Sequence, residues 1–379
     1  MTKRAKNEGS IFQRKSDGRW VGRIQIGVDA TTGKKKTKSV YGATETEVLG
    51  KVAALRMKAG KSLDFERQKD TLSAHLAWWL ENEVRPNRAL NTYRVYEAET
   101  RLRIVPFVGP LKLQAITGMD IVGWMATMTR KKFTNDMRKR ALRTLRVAMN
   151  RAVKMRIIDH NPCDAVDMPK VPKREVVPLE PIQCRDLIEE CNGYRLGDAI
   201  TLAAMTGLRK GEILALEWTA VNIAERILSV RQTIEEVKGH FGTKEPKSAS
   251  GRRVVMLDQI ACDALQRRLD KAKAEGFDPS DVPLVFPNTM GRLHRPANFL
   301  RCTWHPIREA VGIPKDFRFH DLRHTQASLL IAAGVPMKVI QERLGHADYA
   351  LTANTYSHLL QGAQADAADK LDNLFAKCT

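Results

Sequence analysis

Two histidines and an arginine stand a short distance upstream of a tyrosine in His320-Asp321-Leu322-Arg323-His324-Thr325, Leu344-Gly345-His346 and Thr355-Tyr356-Ser357-His358. No carboxylate cluster and no phosphate-binding glycine loop accompanies them. Such a set suits attack on a phosphodiester by a tyrosine hydroxyl without a metal. A free tyrosine, with a pKa of about 10, is a poor nucleophile at neutral pH. Neighbouring cations favour its ionised form and stabilise the extra charge of a phosphorane. Arg209, in Thr206-Gly207-Leu208-Arg209-Lys210-Gly211-Glu212, and Lys247, in a basic hairpin, complete the set.

Each residue alone also has a plainer reading. Arg209 follows Gly207 at an expected helix start, where its fork could bind two non-bridging phosphate oxygens; singly it reads as structural or surface. Lys247 lies in the turn-rich Lys244-Glu245-Pro246-Lys247-Ser248-Ala249-Ser250-Gly251-Arg252-Arg253. From a hairpin it could protonate a leaving oxygen; alone it is a solvated loop lysine, with Lys244, Arg252 and Arg253 as competitors. His320, Arg323 and His324 are spaced to share one helix face. Histidines at i, i+4 also occur as zinc ligands, but the glutamate base of that motif is missing and an arginine lies between them. His324 reads as a packing or supporting histidine. Gly345 should end a helix begun by Pro336, leaving His346 at a turn. Tyr349 is the rival of Tyr356.

The elements that must position these groups fall into three stretches of the 379-residue chain. Residues 1–59 predict a small module of three strands (Ile11 to Arg14, Trp20 to Ile26, Thr37 to Tyr41) and a helix opened by Thr44 with Glu47. Arg14, Lys15, Arg19, Arg23, Lys34, Lys35, Lys36 and Lys38 lie on its strands and turns. A basic ribbon of this kind fits a major groove; the alternative is a solvated basic face. Residues 60–70 read as a linker and 71–168 as all helix, with Asn91 capping a second helix that ends near Pro106 and with Thr117 and Thr134 opening the third and fourth. The fourth places Leu142, Leu145, Met149, Ala152 and Val153 on one side and Arg140, Arg143, Arg146, Arg151 and Lys154 on the other. That basic face predicts a clamp on a DNA backbone, against the alternative of arginines that only solubilise. Residues 169–178 are proline-rich and basic, an expected second linker. The remainder, 179–379, is mixed. Helices are expected near 181–191, 197–205, 210–216, 260–274, 296–311, 320–333, 336–344, 349–358 and 363–376, and strands near 227–234 and 252–257.

Sixty-three basic against 43 acidic residues give a net charge of +20. That excess favours a polyanionic partner, nucleic acid before an anionic membrane. No apolar run approaches the roughly 20 residues of a membrane span, and no signal peptide is visible. The six cysteines are scattered without a Cys-x-x-Cys pair, as expected for reduced thiols in the cytosol.

Together these residues resemble the tyrosine recombinase, or phage integrase, family. Its catalytic pattern of Arg, Lys, His-x-x-Arg, His or Trp, and Tyr is matched in order by Arg209, Lys247, His320, Arg323, His346 and Tyr356. The bracketing Thr355 and Ser357-His358 favour Tyr356 over Tyr349. The resemblance implies an arm-type DNA-binding domain in 1–59, a helical core-binding domain in 71–168 and the catalytic domain beyond. It implies cutting and rejoining through a 3′-phosphotyrosyl link, with neither metal, ATP nor other cofactor. It implies four protomers on core-type and arm-type sites of two duplexes and exchange through a Holliday junction, on the nucleoid. A directionality factor and a host DNA-bending protein are candidate accessories, and a C-terminal stripe (Ala368, Leu371, Phe375) would dock on a neighbouring protomer. The arm-like module points to a phage or mobile-element integrase. The competing readings are a regulator that keeps the fold without chemistry, a chromosome or plasmid resolvase, a metal-dependent nuclease and a topoisomerase.

Overall fold

The computed structural model describes residues 10–28, 35–61, 70–172, 174, 176–237, 240–246, 251–345 and 348–349. The chain divides into two units, 1–173 and 174–379.

The first unit opens with β1 (Ser10–Gln13), β2 (Trp20–Val28) and β3 (Lys35–Gly42), an antiparallel sheet in that order. Helix α1 (Glu45–Lys61) follows, its first turn fixed by the Thr44 hydroxyl accepting from Glu47 N–H at 3.2 Å. α1 lies directly on β2. A Cβ at Gly22 would come within 2.4 Å of Val52, so only glycine admits the contact. Ile24, Val48 and Val52 fill this small core.

Next come α2 (Leu72–Trp79), α3 (Arg85–Asn87), α4 (Leu90–Glu99), α5 (Val105–Val108), α6 (Gly118–Arg130) and α7 (Asn135–Lys154). Thr117 and Asp120 form the reciprocal cap that opens α6, and Thr134 caps α7 by accepting from Met137 N–H. Leu72, Leu76, Ile121, Trp124, Leu142, Leu145 and Met149 are buried in one core. Val153, expected inside, is only half-buried.

One expectation fails here. Asn91 does not cap α4; Ala89 holds that place in extended backbone and Asn91 falls inside the first turn. The helix does end near Pro106, at Val108, but it passes through the proline first. A π-turn, Thr100–Ile104, joins α4 to α5, and Val105 N–H bonds five residues back to Thr100. The widened turn relieves the clash a proline ring makes with the carbonyl four residues before it, so the helix passes through Pro106. The same arrangement, a π-turn and then X-Pro, recurs at Leu80–Val84 before Pro86 and at Leu300–Trp304 before Pro306.

The second unit contains α8 (Pro181–Cys191), α9 (Gly197–Thr206), α10 (Lys210–Leu214), β4 (Val221–Asn222), β5 (Ile227–Val230), β6 (Thr233–Val237), β7 (His240–Lys244) and β8 (Arg253–Met256). It continues with α11 (Gln259–Ala274), α12 (Pro296–Phe299), α13 (His305–Ala310), α14 (Asp321–Ala332) and α15 (Met337–Leu344). α9 is buried almost all round, as an apolar central helix should be. Its one buried acid, Asp198, is neutralised by Arg267 at 3.0 Å and Lys271 at 2.9 Å. The strand expected over 227–234 is two strands in different sheets, β4-β5-β8 and β6-β7. Between them Gln232 turns inward and donates to the carbonyl of Ala215 at 2.8 Å and to Glu217 at 2.7 Å, which pulls the chain out of the first sheet. The helix expected over 296–311 is α12, the π-turn and α13. Both units are mainly helical with small antiparallel sheets.

Candidate active site

Arg209 is the residue that starts α10. Its backbone is extended (φ −70°, ψ 148°), and its N–H donates to Glu212 Oε2 at 2.9 Å. Its guanidinium donates to Glu212 Oε1 at 2.7 Å and remains 41% exposed, whereas the carboxylate is 3% exposed. The arginine is thus anchored from beneath and open above. Burial raises the Glu212 carboxyl, but the hydrogen bond and charge of Arg253, with Arg209, outweigh it and hold the group below its ordinary value.

Arg323 is buried on the first turn of α14. It donates to Gly207 O at 2.8 Å and to Leu344 O. Both carbonyls close helices: Gly207 ends α9 and Leu344 ends α15, each end turned by a left-handed glycine, Gly207 and Gly345 (both φ 67°). A cation suits the negative ends of two helix dipoles. Arg323 therefore fixes the segment that runs into Arg209 and the one that runs into His346.

His320 occupies the N-cap position of α14 without a side-chain capping bond, and its ring stands edge-on to His324 with centroids 5.7 Å apart. The residue is exposed, yet the body of its ring is embedded in protein. That desolvation, then the charges of Arg323, His324 and Arg209, lowers its pKa to about 4. Burial likewise lowers His324. The next residue, Asp321, is fully buried and receives Arg174 at 2.8 Å and Arg318 at 3.0 Å. It fixes the turn on which His320 sits. Arg209 and His320 line one cleft of about 640 Å³, together with Lys210, Thr233, Arg308 and Phe319. Burial lowers the Lys210 ammonium.

The structure thus brings Arg209, His320 and Arg323 together. Lys247, His346 and Tyr356 lie outside the described residues, as does the expected helix over 363–376. The three competitors of Lys247 are engaged elsewhere: Lys244 with Glu235, Arg252 with Glu245, and Arg253 with Glu212. Tyr349 is exposed. Among the described residues no three His, Cys, Asp or Glu side chains converge as a metal site, and no helix is long and apolar enough to cross a membrane.

The residues expected to hold DNA differ in their freedom. Arg143 is exposed on α7. Arg140 pairs with Asp136 at 3.1 Å and lies 3.7 Å from Glu99. Arg146 donates to the carbonyls of Cys163 at 2.7 Å and Val166 at 2.8 Å, and Arg151 binds Glu83. Apart from Asp136, on α7 itself, the acids that meet these arginines come from other elements. In the sheet, Arg14, Lys15, Arg19 and Arg23 are exposed; Arg14 pairs with Asp17 at 3.2 Å and covers the Tyr41 ring at 5.1 Å. Lys35 and Lys36 belong to β3, and Lys34 lies outside the described residues. Sequence reasoning missed Glu212 and Asp321. The signal for Glu212 was present, an acid three residues after a helix-opening residue.

Comparison with known proteins agrees with this geometry. Residues 178–362 match the phage integrase family, and residues 71–128 match the phage integrase N-terminal SAM-like domain. A tyrosine recombinase XerC-like protein of Caldanaerobacter subterraneus subsp. tengcongensis is 28% identical, over 93% of this chain and 95% of its own. The ICEBs1 integrase of Bacillus subtilis is 24% identical over 93% and 96%. In fold, the chain resembles the Tn1549 transposon integrase solved with a circular-intermediate DNA (TM-score 0.68, 23% identity, 79% of this chain and 99% of that one). It also resembles a lambda integrase tetramer bound to a Holliday junction (TM-score 0.57, 18% identity, 93% and 96%). The arginine anchored at the α9–α10 junction, the His-x-x-Arg turn facing it and these matches over both parts of the chain agree: the protein belongs to the phage integrase family and is a tyrosine recombinase, an enzyme of site-specific DNA recombination.

Proposed function

We propose that this recombinase integrates or excises a mobile element, with Tyr356 as nucleophile. The tyrosine oxygen attacks the scissile phosphorus, a 3′-phosphotyrosyl bond forms and the bond to the 5′-oxygen breaks. The proton of Tyr356 passes to His320, which is neutral at pH 7. Lys247 gives a proton to the departing 5′-oxygen. Arg209, Arg323 and His346 hold the non-bridging oxygens and the charge that grows on them. The covalent bond retains the energy of the broken one, so the 5′-hydroxyl of a partner strand reverses the step. The observation that carries this reading is the convergence of Arg209, His320 and Arg323, with the Leu344 carbonyl held by Arg323.

The same reading assigns 1–59 to arm-type sites, 71–168 to core-type sites and 179–379 to catalysis, with 60–70 and 169–178 as linkers. The family matches beginning at residues 71 and 178 support that division. Arg14, Lys15, Arg19, Arg23, Lys34, Lys35, Lys36 and Arg143 then contact phosphates, and Arg140, Arg146 and Arg151 shape the surface beside them. Four protomers exchange strands between two duplexes, as the lambda integrase tetramer on a Holliday junction suggests.

The test uses DNA from the flanks of the gene, nicked so that cleavage traps the intermediate, in excess chelator. Wild type should give a denaturant-resistant protein–DNA adduct and Tyr356→Phe none. Tight binding without an adduct would favour a regulator without chemistry, and an adduct surviving in the variant would move the nucleophile to Tyr349.

A further inference from the structure

Glu212 is shared. Its Oε1 accepts from Arg209 Nη1 at 2.7 Å and from Arg253 Nη1 at 3.3 Å, and its Oε2 accepts from Arg209 N at 2.9 Å and from Arg253 Nη2 at 2.9 Å. Arg253 is 6% exposed at its side chain and begins β8, six residues after Lys247. Its Nε donates to Arg343 O at 2.7 Å, one residue before the Leu344 carbonyl that Arg323 holds. Arg323 in turn holds Gly207, two residues before Arg209. The bonds close a circuit through the starts of α10, β8 and α14 and the end of α15.

We propose that Arg253 is a positioning residue of the recombination reaction: it locks the Glu212 carboxylate and the last turn of α15 to one guanidinium, and thereby aims Arg209 at the scissile phosphate. The inference rests on the reading of Arg209 as a phosphate ligand. Two arguments support it. With Arg209 as its only partner, Glu212 would cancel that arginine's charge; the Arg–Glu–Arg cluster instead keeps a net charge of one, and Arg209 is its solvent-facing end. Second, Arg253 makes four bonds from the three nitrogens of a planar fork, two to Glu212, one to Arg343 O and one from Nη1 to Gly251 O at 3.3 Å, which a lysine cannot reproduce. Arg253 is too buried to meet DNA itself, so its effect must pass through Arg209 and α15.

The test compares full-length wild type and Arg253→Lys on two nicked substrates, one with an ordinary scissile phosphate and one with a methylphosphonate there. The methylphosphonate lacks the non-bridging charge that Arg209 serves. Arg253→Lys should lose about 10- to 100-fold in adduct formation on the ordinary phosphate, the scale expected for a displaced catalytic group. The gap to wild type should close on the methylphosphonate, with DNA affinity and Tm unchanged. An equal loss on both substrates, or none on either, overturns the proposal. If Arg253→Lys fails to fold, the double variant Glu212→Gln/Arg253→Met leaves no lone buried charge, and it should show the same phosphate-specific loss; wild-type rates there overturn the proposal equally. Absence of a wild-type adduct on both substrates would instead refute the phosphotyrosyl reading beneath it.

Discussion

Gly207→Ala tests how far the arginines proposed for catalysis depend on one backbone turn. Two costs can be worked out separately. Gly207 has φ +67°, and an L-residue held in that region costs about 1–2 kcal/mol. An added Cβ would also stand 2.8 Å from Leu344 Cδ2 and 2.9 Å from Gln326 Oε1, both buried side chains. Moving them adds about 1–3 kcal/mol, the usual range for overpacking. The expected loss is therefore about 2–5 kcal/mol. Gly334 supplies the control: its φ is +75° and nothing lies within 4 Å of its Cβ position. Gly334→Ala should pay the backbone term alone, about 1–2 kcal/mol. Urea unfolding of the full chain, followed by tryptophan fluorescence at constant m, measures the difference. Adduct formation should follow the same order, because the displaced Leu344 and the Gly207 carbonyl are the two anchors of Arg323. Equal destabilisation by the two substitutions, or an active Gly207→Ala, would refute the account of this turn.

Four further outcomes are expected. An unfolded histidine takes its proton near 6.5, whereas folded His320 waits until about 4, so its share of stability is intact above pH 6.5 and is lost as pH falls toward 4; His320→Gln should flatten the acid limb of an unfolding profile, and an unaltered limb would contradict the depressed pKa. Arg143→Ala should reduce the slope of log K against log salt by about 0.9 without changing stability. Arg146→Ala should leave two carbonyls short of a donor and cost about 1–3 kcal/mol in an unfolding titration, and the same response from both variants would undo the distinction between them. Deletion of residues 363–379 should spare DNA binding by one protomer and weaken assembly on DNA in a native gel, while undiminished assembly would remove that segment from protomer contacts.

Local chemistry made much of this legible in advance. Helix starts came from side chains that cap their own backbone, as Thr117, Thr134 and Glu47 do, and helix ends from Gly207 and Gly345. The site was legible as a set of residue types in order. What stayed hidden was non-local. The α7 arginines looked free because, Asp136 aside, their acidic partners Glu83 and Glu99 lie on other elements. The break between β5 and β6 depends on Gln232 reaching Ala215 and Glu217. Arg253 looked like a rival of Lys247, and only the fold brings its guanidinium to Glu212. Pro106 marked the end of its helix to within two residues, but the π-turn that lets the chain pass the proline has no side-chain signature of its own.

Those three π-turns bear on how the chain can change length. A π-turn is an α-helix with one residue too many. Elsewhere in a helix, deleting a residue rotates everything beyond it by about 100° and takes the apolar stripe off its core. Within Leu80–Val84, Thr100–Ile104 or Leu300–Trp304 the same deletion, paired with replacement of the following proline, would restore ordinary spacing and leave the downstream faces where they are. Among the described residues the helices thus contain three positions at which a residue can be lost without repacking the unit.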